Sequence, residues 1–279
     1  MPIQVNNLFH FYYKKTPNEV KAIDGISLEI KEHEFVAFVG ETGSGKSTLV
    51  QHLNGLLIPS EGTVTVNDIT IVNNKRKNKK MQALRKQVGL IFQFPEYQLF
   101  EETVLKDVAF GPRNFGFKLD EATSKAKEAL KLVGLDESYY ERSPFELSGG
   151  ERRKVAIAGI LAIDPDILIL DEPTAGLDYH ASNEVMELVK EMHEKGKTII
   201  LVTHDMDLVY RYASKVFFID KGKIEFSGTP LELFKKRYHA LELPRLFFLA
   251  TELIKRGIDI PLEEVKEIKD VIKYVRKER

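Results

Sequence analysis

An apolar run, Phe35-Val36-Ala37-Phe38-Val39, ends at Gly40 and gives way to GETGSGKST, Gly40 to Thr48, after which Thr48, Leu49, Val50 and Leu53 take up helical spacing. A buried strand, a glycine-rich turn and a helix in that order form the join of a layered α/β fold. The turn also suits a polyphosphate. Several negative charges need many N–H donors in one concavity, and side chains larger than hydrogen at Gly43 and Gly45 would block that approach. Lys46 is placed to reach β- and γ-phosphates, the Ser47 hydroxyl suits a Mg²⁺ ion, and the helix N-terminus adds its dipole. Gly40, Glu41, Thr42, Gly43, Ser44, Gly45, Lys46, Ser47 and Thr48 are therefore the candidate cradle for a nucleoside triphosphate. An ordinary glycine-rich turn is the competing explanation, and the strand before it and helix after it weigh against that.

The 279 residues allow one large domain with an appendage or two small ones, and 43% apolar residues are enough for a sizeable core. A net charge of −1 supplies no global field toward nucleic acid or anionic lipid. The absence of cysteine excludes disulfides and thiolate-held metals. The Met1 end lacks the charged and apolar regions of a secretory signal, and no run approaches about 18 apolar residues, so a soluble or peripheral protein is expected.

Short strands are expected at Ile3 to Val5, Ile26 to Ile30 and Thr63 to Val66, forming an antiparallel flap. From Val88 onward short apolar runs alternate with helical segments, the mark of a parallel sheet with crossover helices. Its strands fall at Val88 to Phe92, Ile167 to Leu170, Thr198 to Thr203 and Val216 to Ile219, with a hairpin around Lys221-Gly222-Lys223. A helical subdomain, strongest from Ala122 to Val133, is inserted between residues 94 and 163, and a charged helical tail begins at Thr229-Pro230-Leu231-Glu232. The expected division is 1–226 and 227–279. The basic run from Lys75 to Lys80 reads as a solvated hairpin loop, with contact to anionic headgroups as the lesser alternative.

Four polar features each follow a predicted core strand: the Gly40 loop, Gln93, Asp171-Glu172 and His204. Carboxyl ends of parallel strands share one edge, where ligands bind, so these groups can converge on one nucleotide. Asp171 emerges where Mg²⁺ would sit, and Glu172 is the candidate to orient and deprotonate the attacking water. The plainer reading of the pair is an acidic helix N-terminus. Leu147-Ser148-Gly149-Gly150-Glu151 carries a Ser-x-x-Glu capping box, and two glycines in its first turn cost about 1 kcal/mol each against alanine. Bare backbone there suits a γ-phosphate lying against the helix N-terminus, with Ser148, Gly149, Gly150 and Glu151 as the candidate segment.

The order GETGSGKST, Gln93, LSGGE, LILILDEPTAGLD and His204 resembles the ATP-binding cassette (ABC) ATPases over nearly all of residues 1 to about 226. The resemblance implies a P-loop NTPase of ABC type: a mixed-sheet core, an antiparallel β-subdomain, an inserted helical subdomain and a C-terminal helical extension. It also implies ATP and Mg²⁺ as cofactors. Tyr12 looks like the aromatic that stacks on adenine, with Phe11 and Tyr13 as alternatives. Gln93 looks like a sensor of Mg²⁺ and the γ-phosphate, Asp178 like the residue coupling two sites, and His204 like the γ-phosphate clamp. In this family two cassettes stack head to tail, so the signature of one chain completes the site of the other. Glu151 stands where glutamine is usual, which leaves the cap intact.

FQFPEYQLFEETVLKDVAFGPRNFG, Phe92 to Gly116, and FELSGGERRKVAIAGILA, Phe145 to Ala162, resemble the energy-coupling-factor importer ATPases, which drive uptake of vitamins and of cobalt or nickel. That resemblance implies a second ATPase chain, a transmembrane coupling protein received on the aromatic and acidic surface from Phe94 to Phe100, and a substrate-capturing membrane subunit reached indirectly. It places the chain as a peripheral protein on the cytoplasmic face of the cell membrane, with a tail from Leu231 to Arg279 that helps hold the ATPases together. Another importer class and an ATP-gated scaffold are the alternatives. A DNA-acting cassette would need a long coiled coil between loop and signature, which this chain lacks, so no nucleic-acid partner is expected.

Overall fold

The computed structural model describes residues 3–74, 78–238 and 241–277; Lys75 to Lys77 of the basic run therefore lie outside the described residues. Among the described residues ten strands, β1 (Ile3–Tyr12), β2 (Val20–Ile30), β3 (Phe35–Val39), β4 (Glu61–Val66), β5 (Ile69–Val72), β6 (Val88–Ile91), β7 (Ile167–Asp171), β8 (Thr198–Val202), β9 (Lys215–Asp220) and β10 (Lys223–Gly228), form two sheets. The first is antiparallel, in the order β2-β1-β4-β5, and the second runs β10-β9-β3-β8-β7-β6. Within the second sheet β9, β3, β8, β7 and β6 pair in parallel and β10 returns antiparallel at the edge. Lys221 and Gly222, with φ of 46° and 78°, turn that last hairpin, as two left-handed residues do in the tightest hairpin loops.

β3 shows how the sheet divides the core. Its residues are buried on both faces, and alternation sends Val36 and Phe38 to one side and Phe35, Ala37 and Val39 to the other. The Val36 side meets the antiparallel sheet, through Ile3, Val5, Leu8 and Ile26, and the helix α1 (Lys46–Leu53). A short helix, α2 (Met81–Gln87), leads into β6. The Phe35 side packs under α3 (Val104–Asn114), α4 (Leu119–Leu132), α5 (Gly149–Leu161), α6 (Tyr179–Glu194) and α7 (Met206–Tyr212). Buried residues of the C-terminal helices α8 (Pro230–Lys236), α9 (Arg245–Lys255) and α10 (Ile268–Lys277) join this same cluster. The Tyr210 ring lies 5.9 Å from Phe234 and 5.8 Å from Phe247, and the Tyr210 hydroxyl donates to Leu262 O at 2.7 Å. The tail thus packs on the helix that follows His204; it starts at Thr229, because β10 runs on to Gly228 and the expected boundary after residue 226 would cut that strand.

The antiparallel strands run longer than the sequence pattern implies. Asn6-Asn7 reads as a turn, yet β1 continues through it with a register shift and Asn7 at φ 46°. A bulge, not a turn, absorbs the irregularity and carries the strand on to Tyr12.

Beneath α1 sits a buried imidazole pair that the pattern did not single out. His52 Nδ1 donates to Thr48 O at 2.7 Å, which leaves Nε2 to accept from His10 Nδ1 at 3.1 Å. Burial pushes His52 down to about 4 from 6.5. The unfolded chain therefore binds this proton first as pH falls, so the stabilisation from the neutral form is present above pH 6.5 and is lost on acidification toward 4. That loss amounts to about 3 kcal/mol. Urea unfolding between pH 7.5 and 4 should show it, and His52→Gln should flatten the profile; an unchanged slope in the variant assigns the acid sensitivity elsewhere.

Candidate nucleotide site

The phosphate loop is moulded by backbone packing. A Cβ on Gly40 would lie 2.1 Å from Ile219 O, and one on Gly45 2.6 Å from Ala22 O, so the glycines at both ends of the loop are required by neighbouring strands. Gly43 differs: a Cβ there meets nothing within 4 Å, although φ is 83°. At Gly45 a side chain would collide with protein backbone as well, so the position is closed to one whether or not a phosphate lies beside it. Gly222 in the last hairpin donates its N–H to Ser44 O at 2.9 Å and accepts from Asp24 N at 2.9 Å, tying the loop to both sheets. Nothing in the loop sequence itself announces this tie.

Lys46 is buried, and its Nζ donates to Gly40 O and Glu41 O, each at 2.8 Å. Burial lowers its pKa, opposed by the charges of Glu172 and Asp171, which lie close enough to act on it. Tyr12, the last residue of β1, meets Thr48 hydroxyl to hydroxyl at 3.2 Å and lays its ring edge against His10. Of the two alternatives, Tyr13 is strongly exposed and Phe11 carries the Lys14 ammonium over its ring.

Parallel pairing puts the ends of β3, β8, β7 and β6 along one edge. The Gly40 loop, His204, Asp171-Glu172 and Gln93 follow those strands in that spatial order, as the strand-end argument requires. Contacts join them. Burial raises the pKa of the Asp171 carboxyl, and the nearby Ser47 hydroxyl and Lys46 ammonium work against that rise. Glu172, at φ 50°, donates its N–H to Val202 O and receives three bonds on its carboxylate: from Thr203 Oγ1 at 3.3 Å, His204 N at 3.1 Å and His204 Nδ1 at 2.8 Å. Thr203, fully buried, is a site residue that pattern reasoning passed over. Gln93 stands exposed at the end of β6.

The signature turn forms the expected capping box. Ser148 N and Oγ donate to Glu151 Oε2 at 2.8 and 2.7 Å, and Glu151 N returns to Ser148 Oγ at 3.4 Å. The Tyr139 hydroxyl holds the other carboxylate oxygen at 2.8 Å. Cβ atoms on Gly149 and Gly150 would meet nothing within 4 Å, so the bare backbone of this turn faces open space. Asp178 caps α6, accepting from Ala181 N at 2.8 Å. Among the described residues no hydrogen bond links the Ser148 turn or Asp178 to the chain's own phosphate loop. Cavities of about 480 and 170 Å³ lie along α5 and α6, and neither is lined by the Gly40 loop.

The Phe94 to Phe100 segment is half as expected. Tyr97 is 81% and Phe100 56% exposed, and Phe100 packs edge-on against Phe110 at 4.7 Å. Its acid does not share that surface: Glu96 turns inward to Arg153. An ion pair satisfied inside the protein removes the reason for this carboxylate to face solvent.

The ABC transporter family model matches residues 23–175. The energy-coupling factor transporter ATP-binding protein EcfA2 of Streptococcus pyogenes serotype M28 is 50% identical over 277 residues, covering 96% of this chain and 99% of that protein. Among solved structures, cbiO1 from Clostridium perfringens, part of the ABC transporter complex cbiONQ, superposes with a TM-score of 0.75 at 36% identity, covering 91% of this chain and 96% of that one. A dimeric post-hydrolysis state of the cassette MJ0796 bound to ADP and Pi gives 0.72 at 31%, covering 82% and 98%. Phosphate loop, signature turn and strand-end carboxylates on this fold, with half the residues shared along almost the whole chain, make the protein a member of the ABC transporter family, among its energy-coupling-factor ATP-binding proteins.

Proposed function

We propose that the chain hydrolyses Mg-ATP in composite sites between two ATPase chains stacked head to tail, and so powers an energy-coupling-factor importer from the cytoplasmic face of the membrane. The convergence of Lys46, Ser47, Asp171, Glu172 and His204 on one sheet edge carries this reading. The loop N–H groups and Lys46 bind the phosphates, and Tyr12 flanks the adenine. Glu172 takes the proton from the attacking water, and His204, already on the Glu172 carboxylate, holds both that carboxylate and the γ-phosphate. Gln93 reaches the same phosphate from the neighbouring strand. The partner chain supplies the donors of its signature turn, and Asp178 lies where one site can report to the other.

Mg²⁺ fits the residues present. The Ser47 hydroxyl and the buried Asp171 carboxylate, near enough to act on each other, are hard oxygen donors of the kind Mg²⁺ takes beside phosphates. Bound there, the ion would neutralise charge on the transferred phosphoryl group. The exposed rings of Tyr97 and Phe100 are the surface on which a transmembrane coupling protein docks, with the substrate-capturing subunit beyond it. The chain through β10 forms the catalytic unit, and the tail from Thr229 is the extension that helps join two ATPases. Among the described residues no helix is long and apolar enough to cross a membrane, so the membrane is reached through partners.

Calorimetry with Mg-ATP and a phosphate-release assay test the reading together. Asp171→Asn should turn over at least about tenfold more slowly than the parent chain. No affinity of the parent for Mg-ATP removes the ATPase assignment. Co-purification from membranes should bring down a second ATPase and a multispanning protein, and loss of that protein on Tyr97→Asp locates the docking surface.

A further inference from the structure

Three segments that carry site residues meet at one buried side chain. Arg153, in the second turn of α5, is 3% exposed. One edge of its guanidinium, Nε and Nη2, donates to Glu96 Oε2 and Oε1 at 3.0 and 2.8 Å. The other edge, Nη1, donates to Ala175 O at 2.7 Å and Pro173 O at 3.3 Å. Its plane lies 5.6 Å from the Phe94 ring, and Phe94 in turn presses on Gly176, where a Cβ would stand 3.2 Å from that ring.

Each segment held in this way ends on a group of the site. Glu96 lies in the turn Pro95–Gln98, three residues after Gln93. Ala175 is three residues after Glu172, and its own N–H closes a turn onto Glu172 O at 3.1 Å. Arg153 itself is one turn of rigid helix from Ser148. Four donors in a plane, two spaced for a carboxylate and two for a pair of carbonyls, are what a guanidinium offers and an ammonium does not. A solvated charge on a helix face would show none of this.

We propose that Arg153 is a positioning residue, holding the Gln93 to Gln98 segment, the Glu172 to Asp178 loop and the Ser148 turn in one register, so that displacement of the exposed aromatic segment shifts Glu172 and Ser148 together. This rests on the composite-site reading above. It adds to that reading a fixed joint between the docking surface, the chain's own hydrolytic carboxylate and the signature turn that serves the partner chain.

The test uses the full chain with Arg153→Lys and Glu96→Gln. Both keep Mg-ATP affinity within about threefold of the parent while turnover at saturating ATP falls about 10- to 100-fold, as misplacement of a reacting group does. In hydrogen exchange, amides 94, 96–98 and 174–177 lose protection together in both variants, with β1 and β2 unchanged. Turnover within twofold of the parent, or exchange changes confined to α5, overturns the proposal. So does an affinity loss matching the turnover loss in both variants, which assigns Arg153 to general packing. Should the parent chain fail to bind Mg-ATP, the ATPase reading falls, and the paired exchange change still decides whether Arg153 joins the three segments.

Discussion

Glu172→Gln is expected to slow ATP hydrolysis about 10³-fold, equivalent to about 4 kcal/mol of transition-state stabilisation, while leaving Mg-ATP binding intact. The substitution isolates the proton-accepting role because the surrounding bonds survive it. The amide oxygen of glutamine can still accept from His204 N and Nδ1, which now lie 3.1 and 2.8 Å from Glu172 Oε1. The amide nitrogen replaces Oε2, and the Thr203 hydroxyl, which donates there at 3.3 Å, can rotate and accept instead. Backbone at φ 50° is as accessible to glutamine as to glutamate. Only the basic carboxylate is lost. With hydrolysis stopped and the γ-phosphate still gripped from both sides, ATP should hold two chains together, visible as an ATP-dependent dimer in size-exclusion chromatography with light scattering. Hydrolysis at the parent rate removes Glu172 from the chemistry. His204→Ala provides the contrast, since it deletes the group that orients the carboxylate and keeps the base.

Much of this site was legible in the residues. Convergence at the strand ends requires only that Phe35–Val39, Val88–Ile91, Ile167–Asp171 and Thr198–Val202 be parallel, and their continuous apolar character expresses burial on both faces. The capping box at Ser148 was legible because it is made within four residues. What escaped was long-range or irregular. The bulge at Asn7 looks like a turn, since asparagine tolerates left-handed backbone in both. Arg153 and Glu96 are 57 residues apart, and each alone reads as a surface charge. His10 and His52 are separated by 42 positions, and only the packing of α1 on β1 makes them a pair. At Gly45 a second constraint was hidden from the sequence, because the carbonyl of Ala22 that forbids a side chain there belongs to another strand.

The proposed composite site predicts a second large effect, measurable by mixing. Lys46→Ala removes the phosphate-binding ammonium, and Ser148→Arg fills the open face of the signature turn with a bulky side chain. Where two copies of this chain pair, each homodimer then carries two damaged sites, and each variant alone should fall at least about 100-fold in turnover. The structure places the two lesions apart. Lys46 bonds within its own loop, the Ser148 turn bonds within its own helix start, and no hydrogen bond joins them among the described residues. If the nucleotide lies between chains, a dimer with one chain of each kind pairs the intact loop of the Ser148→Arg chain with the intact signature of the Lys46→Ala chain. One of its two sites is whole. Free exchange at equal concentrations makes half the dimers mixed, so activity should recover to about a quarter of the parent level when the sites fire independently. Recovery well below that, with mixed dimers shown by native mass spectrometry, means that both sites must be sound before either turns over. No recovery even in dimers linked as one polypeptide contradicts the head-to-tail arrangement, because a site contained within one chain gains nothing from its neighbour.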